Sequence, residues 1–170
     1  FQVTDQQLGL FALQHDHFLG GHLFTEGVEF QSEYIETDRL KDGDATRQRM
    51  AFFLQDQADD IGGSSLQILS GIRFDFDSWF GFYPTPKLAI RYDPVDAFRL
   101  RFVYGAGYRA PDFKELFLYF ENPSVGYVVE GNPDLAPETS HSLQFEGELY
   151  LDSLNLIVNV FRNNIQGLIT

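Results

Sequence analysis

The sequence predicts an all-β fold, an antiparallel β-meander of about eight strands. Three observations carry this. Apolar and polar residues alternate with a period of two over most of the chain. The alternating segments run to roughly the 9 to 11 residues that a tilted strand needs to cross a bilayer. Clusters of Gly, Asp, Asn, Ser and Pro, the residues that turns demand, separate them. A mean hydropathy of -0.20 and the lack of any run near about 18 apolar residues exclude a membrane-spanning helix. A membrane barrel stays open, because strands with one lipid-facing and one lumen-facing side have moderate average hydropathy.

The strands follow in order. The first is read near Gln7 to His17, where the alternation is weakest. The second, near His22 to Glu36, sets Phe24, Val28, Phe30 and Tyr34 against Thr25, Gly27, Glu29, Gln31 and Glu33. The third, near Thr46 to Gln57, sets Met50, Phe52 and Leu54 against Arg47, Arg49 and Gln55. In the fourth, near Ser65 to Asp77, Leu66, Ile68, Ile72, Phe74 and Phe76 oppose Gln67, Gly71, Arg73, Asp75 and Asp77. The fifth spans about Thr85 to Asp93. The sixth sets Phe98, Leu100, Phe102, Tyr104 and Tyr108 against Arg99, Arg101, Gly105, Gly107 and Arg109. The seventh carries Leu143, Phe145, Leu149 and Leu151, and the eighth Leu154, Leu156, Val158 and Val160, across an Asp152-Ser153 turn short enough to make them antiparallel. Connections alternate between short ones (Leu19 to Gly21, Asp93 to Ala97, Asp152-Ser153) and longer ones (Thr37 to Ala45, Ser78 to Pro84, Arg109 to Thr139). The Gln57 to Ser64 connection falls on the short side and is longer than that pattern asks.

The segment between the sixth and seventh strands organises the chain. It opens Tyr104-Gly105-Ala106-Gly107-Tyr108-Arg109-Ala110-Pro111-Asp112-Phe113-Lys114-Glu115-Leu116-Phe117 and closes Gly131-Asn132-Pro133-Asp134-Leu135-Ala136-Pro137-Glu138-Thr139-Ser140. Pro111 has no N–H for a ladder, so pairing stops there, and Asn132-Pro133 and Ala136-Pro137 bias their first residues away from helix. A strand, a long constrained loop and a strand result. Both ends resemble TonB-dependent outer-membrane receptors, whose barrels carry Tyr-Gly-x-Gly-Phe/Tyr-Arg-Ala-Pro-x-x-x-Glu-Leu followed by Gly-Asn-Pro-x-Leu-x-Pro-Glu-x-Ser. The match rests on Tyr104, Gly105, Gly107, Tyr108, Arg109, Ala110, Pro111, Glu115 and Leu116, then on Gly131, Asn132, Pro133, Leu135, Pro137, Glu138 and Ser140. It covers Arg47 to Ile169, and the first forty or so residues in pattern only.

The resemblance implies that residues 1–170 are a segment of a large transmembrane β-barrel in the cell outer membrane of a Gram-negative bacterium. It implies outer-membrane lipid on one face and the plug domain of the same parent chain on the other. It also implies TonB acting through the parent's N-terminal region, and a scarce ligand such as a ferric siderophore, haem, cobalamin or a glycan. No catalytic residue and no cofactor are expected. An opening at Phe1-Gln2-Val3 without Met or leader, and an end at Thr170 in mid-pattern, read as an excerpt. The plug, the TonB box and the C-terminal aromatic strand are accordingly expected elsewhere in the parent.

The formal charge of -13 argues against nucleic acid, whose phosphates need clustered Lys and Arg. The basic residues nevertheless gather on the polar parity of neighbouring strands: Arg47, Arg49, Arg73, Lys87, Arg91, Arg99, Arg101 and Arg109. Such a stripe faces the lumen, where it meets plug carboxylates or an anionic ligand, or pairs across the sheet with Glu29, Asp75, Asp77, Glu146 and Glu148. Trp79, Tyr83, Tyr119 and Tyr127 are candidates for ligand contact in outer loops. Phe80 and Phe82 read better as an interfacial aromatic girdle.

Other patterns lead less far. His15-Asp16-His17 sets two imidazoles on one strand face, a chelating geometry, but no third ligand is near in sequence, and a surface pair with no metal is expected. The carboxylates of Asp38, Asp42 and Asp44, and of Asp56, Asp59 and Asp60, lack the calcium-loop spacing. Gly105-Ala106-Gly107-Tyr108-Arg109-Ala110 fits a dinucleotide-binding string, but that motif needs a buried parallel strand before it and a helix opening inside it. Here the strand before it is two-faced, with Arg99 and Arg101 on one side, and Pro111 and the loop follow. With no Cys there is neither a disulfide nor a thiolate site. Two other readings remain: a self-contained eight-stranded barrel, in the membrane or as a soluble carrier, and an outer-membrane enzyme using Glu146 and Glu148.

Overall fold

A computed structural model describes residues 4–40 and 42–169. Of the predicted connections, Thr37 to Ala45 includes residue 41, which lies outside the described residues, as do both chain ends.

Eight strands form one antiparallel sheet. In chain order they are β1 (Thr4–Leu19), β2 (His22–Thr37), β3 (Asp44–Ala58), β4 (Leu66–Asp77), β5 (Gly81–Val95) and β6 (Phe98–Arg109). A short helix, α1 (Phe113–Phe117), and a hairpin of β7 (Tyr119–Asn122) and β8 (Tyr127–Glu130) intervene before β9 (Glu138–Leu151) and β10 (Leu154–Gln166). The sheet order is β1-β2-β3-β4-β5-β6-β9-β10, with β1 and β10 as its two edges. This is the predicted meander, with the hairpin inserted in the long connection.

Register turns the sequence alternation into two faces. On one, Phe30 pairs with Met50, Met50 with Phe76 and Phe76 with Phe82, while Phe52 pairs with Phe74 and Phe102 with Phe145. These rings lie side by side across the strands, which is how a sheet is stabilised laterally. The face remains open, with Phe82 50 % and Phe145 52 % exposed. A contiguous apolar surface of this kind suits lipid and is rare on a soluble monomer. No helix among the described residues is long and apolar enough to cross a membrane.

Three expectations are corrected. β5 begins at Gly81 rather than near Thr85, so the long connection predicted from Ser78 to Pro84 shrinks to Ser78–Phe80. The Asp77 carboxylate makes that tight turn by accepting the N–H groups of Trp79 (2.9 Å) and Phe80 (3.3 Å). Pro84 and Pro86 stay inside β5 because its pairing with β6 starts only at Lys87, so the missing donors face an unpaired edge. Second, the long connection is not irregular: it contains α1 and a hairpin, each too short for periodicity to reveal. Third, Tyr108 does not join the apolar face with Tyr104. The β5–β6 pairing ends at Gly105 while β6–β9 pairing runs on to Arg109, and there the Tyr108 ring stacks on Tyr83 with centroids 4.1 Å apart.

Buried apolar residues are few, and most sit at the end of the sheet opposite the Gly20-Gly21 and Asp152-Ser153 turns. Ile35, Leu40 and Phe113 form the cluster, with Ala45, Trp79 and Phe117 against it. The core of this chain is the seam between the polar face and the folded-back connection.

Candidate functional site

Arg109 joins the two motif halves. As the last residue of β6 it lies opposite Glu138, the first of β9. Its guanidinium bonds Glu138 (Nη1 to Oε1, 3.2 Å) and also Glu115. Glu115 closes a capping box on α1: the Asp112 N–H donates to Glu115 Oε2 and the Glu115 N–H to Asp112 Oδ1, both at 2.8 Å. The Asp112 N–H first, and the Arg109 guanidinium next, hold the Glu115 carboxyl below the ordinary range.

The second motif half docks on the same helix. The Gly131 N–H donates to Leu118 O (2.7 Å) and the Asn132 N–H to Glu115 O (2.8 Å). A Cβ at Gly131 would stand 2.7 Å from both the Leu116 carbonyl carbon and the Phe117 nitrogen, so the approach requires glycine. The Asn132 side chain accepts the Asp134 N–H at 2.9 Å and sets the following turn. Arg109, Glu115, Gly131, Asn132 and Glu138 therefore form a clasp, bound to one another.

Beneath the clasp lies a buried ion pair. Arg47 bonds Asp77 through Nε (3.0 Å to Oδ2) and Nη2, with side chains only 3 % and 1 % exposed. Its Nη1 donates to Pro111 O at 2.8 Å, which ties the fully buried Pro111 to β3. The Tyr108 hydroxyl donates to Asp77 Oδ2 at 3.3 Å. The guanidinium also lies over Trp79 and Phe80, at 5.5 and 5.2 Å from the ring centroids. Trp79 in turn meets Phe113 and Phe117 edge-on.

Along the rest of the polar face the arginines pair within the sheet. Arg49 bonds Glu33 (3.0 Å), and Arg73 bonds Glu29 (2.6 Å) and Asp75 (2.9 Å). Arg91 and Arg99 share Asp93, Arg99 also reaches Glu148 (3.5 Å), and Arg101 bonds Glu146 (2.5 Å) and Glu148. Lys87 alone of the stripe makes no ion pair among the described residues; its stem crosses Gly71. A groove of about 430 Å³ opens on this face, with Glu29, Arg49, Arg73, Asp75, Tyr108 and Arg109 in its wall. A Cβ at Gly105 would meet nothing within 4 Å, whereas one at Gly107 would meet Ser140 Oγ at 2.6 Å.

The aromatic candidates separate. Trp79 and Tyr83 are held by the contacts given above. Tyr119 (41 % exposed) and Tyr127 (56 %) stand on the hairpin, with Val125 near its tip. Sequence reasoning named Asp77 among possible partners of the stripe but not the Pro111 carbonyl or Tyr108. The Asp112-x-x-Glu115 spacing was the available signal for α1.

A lipid-suited face, a charged face closed by its own ion pairs and a loop clasped over one end define a wall segment of a membrane β-barrel. The chain belongs to the TonB-dependent receptor family: the profile described as TonB dependent receptor-like, beta-barrel matches residues 1–170. It is 34% identical over 100 residues to the vitamin B12 transporter BtuB of Vibrio vulnificus, covering 59% of this chain and 15% of that protein. It is 30% identical over 83 residues to the hemoglobin and hemoglobin-haptoglobin-binding protein B of Haemophilus influenzae, covering 49% and 8%. The chain thus spans a small part of these relatives. The crystal structure of the siderophore receptor PirA from Pseudomonas aeruginosa superposes with a TM-score of 0.84 over 97% of this chain and 33% of that one, at 18% identity.

Proposed function

We propose that the chain is the part of an outer-membrane receptor barrel that supplies lipid-facing wall, lumen lining and one external loop for uptake of a scarce ligand. The observation that carries this is the division of one sheet into an open apolar face and a charged face that neutralises itself. Such pairing suits a lumen wall, because charges left unpaired there would lose solvation where a plug covers them. The short turns then lie on the periplasmic side and the β7–β8 hairpin outside. Lys87 and the space over Gly105 are the places for plug contact, and Tyr119 and Tyr127 for ligand contact. The relatives' names offer cobalamin, haem-protein and siderophore chemistry as ligand classes. TonB acts on the parent's plug, and no catalytic step is assigned to this segment.

The test uses the full-length parent in cells. The chain has no Cys, so Val125→Cys and Ser153→Cys place single labels within it, introduced where needed into a Cys-free parent. A membrane-impermeant maleimide should label the first on intact cells and the second only after permeabilisation. Deleting the gene should abolish TonB-dependent uptake of one among cobalamin, haem and a ferric siderophore panel. Labelling in the reverse order, or uptake unchanged throughout, would overturn the reading.

A further inference from the structure

The apolar face carries a polar cluster at its short-turn end. His15 and His17 share the face of β1 that bears Phe11 and Leu13, and Glu26 stands opposite His15 in the β1–β2 register. Both imidazoles turn Nδ1 toward one carboxylate oxygen, His15 at 3.1 Å and His17 at 3.6 Å from Glu26 Oε1. The rings stack at 5.1 Å, and the ligand atoms of all three residues lie within 4.8 Å of one another. His17 Nδ1 is buried without a hydrogen-bond partner. The three side chains are otherwise open to solvent, His15 at 67 %, His17 at 40 % and Glu26 at 43 % exposed, so an ion could reach them.

The 3.1 Å contact of His15 with Glu26 is a hydrogen bond as the residues stand, and the convergence of three donors is also what a metal ion would use. Zinc bonds of about 2.0 to 2.2 Å at tetrahedral angles put neighbouring ligand atoms roughly 3.3 to 3.5 Å apart, and the two separations from Glu26 Oε1 bracket that range. Two imidazole nitrogens and one carboxylate oxygen make a three-ligand set that leaves a position for water. His22 is engaged by Asp56 at 3.0 Å, and Phe24 lies between the His17 and His22 rings, walling the site on that side. We propose that His15, His17 and Glu26 bind a divalent transition ion, Zn²⁺ by the donor set, clipping β1 to β2 close to the Gly20-Gly21 turn. Sequence alone could not reveal it, because the third ligand comes from the neighbouring strand.

The test is Zn²⁺ titration of the chelator-treated full-length parent in detergent by calorimetry, with Co²⁺ absorption as a second readout. The His15→Gln/His17→Gln double variant should lose one equivalent of Zn²⁺ relative to the parent. Glu26→Gln should weaken that equivalent by more than about tenfold, the lower end of what even outer-shell changes cost. His22→Gln should leave it intact. Co²⁺ should give the intense visible bands of a four-coordinate ion in the parent and lose them in the double variant. Heat-modifiable mobility on gels verifies that each variant is folded. Equal Zn²⁺ stoichiometry and affinity in the parent and the folded double variant would overturn the proposal.

Discussion

Among the described residues, Arg47 and Asp77 form the ion pair whose two side chains are both fully buried, although they are not register partners. Asp77 lies opposite Arg49, and Arg47 reaches it from beyond the end of β4. That displacement lets one guanidinium hold the Ser78–Phe80 turn through Asp77 and the long connection through the Pro111 carbonyl. Removing one partner leaves a charge buried alone. Arg47→Met should cost about 3 to 5 kcal/mol, and Arg47→Met/Asp77→Asn, which keeps the turn's acceptor and removes the charge, markedly less. Urea unfolding of the full-length parent in detergent measures both, and equal losses would refute the pairing argument.

Gly131 and Gly105 should respond oppositely to Ala. At Gly131 the methyl meets helix backbone at 2.7 Å, so the second motif half must lift away, at about 1 to 3 kcal/mol for such overpacking. Proteolytic nicking between Phe117 and Pro137 should increase. At Gly105 there is open space, so stability should hold. A fall in uptake for Gly105→Ala at unchanged stability would mark the plug contact.

Acid should loosen the clasp. The folded-state pKa of Glu115 lies below its unfolded value of about 4.3, because the Asp112 N–H and then Arg109 bind the carboxylate. Its contribution is therefore fully present above that pH and is lost as pH falls through the folded value. Hydrogen exchange across Phe113–Phe117 should lose protection over that window, and Glu115→Gln should remove that part of the pH dependence. Protection in the unmodified protein that is flat down to the acid limit would contradict it.

Tyr119 and Tyr127 should be separable from Trp79. Tyr119→Ala and Tyr127→Ala should weaken binding of the parent's ligand by about tenfold or more, a loss of roughly 1.4 kcal/mol, with unfolding unchanged. Trp79→Ala should instead destabilise by about 3 kcal/mol, as removal of a packed aromatic does. Binding fluorescence and unfolding, measured side by side, distinguish the two.

Sequence alone determined the eight strands of the sheet, though not where β5 begins, their two faces except at Tyr108, and the family motif, because a period of two and fixed Gly and Pro positions are local properties of the chain. It also placed the charged stripe on one face. What it left open was settled by contacts between residues far apart in the chain. Asp77 and Pro111 meet Arg47, Glu138 meets Arg109, Gly131 rests on Leu116, and Glu26 faces His15 and His17 from the neighbouring strand. Parity fixes which face a side chain takes only while both neighbouring strands hold the backbone. Where β6 leaves β5 after Gly105 that constraint lapses, and Tyr108 turns to Asp77. Partner choice among charges depends on register and on how the long connection folds back, which it does where Ile35, Leu40 and Phe113 are buried against one another.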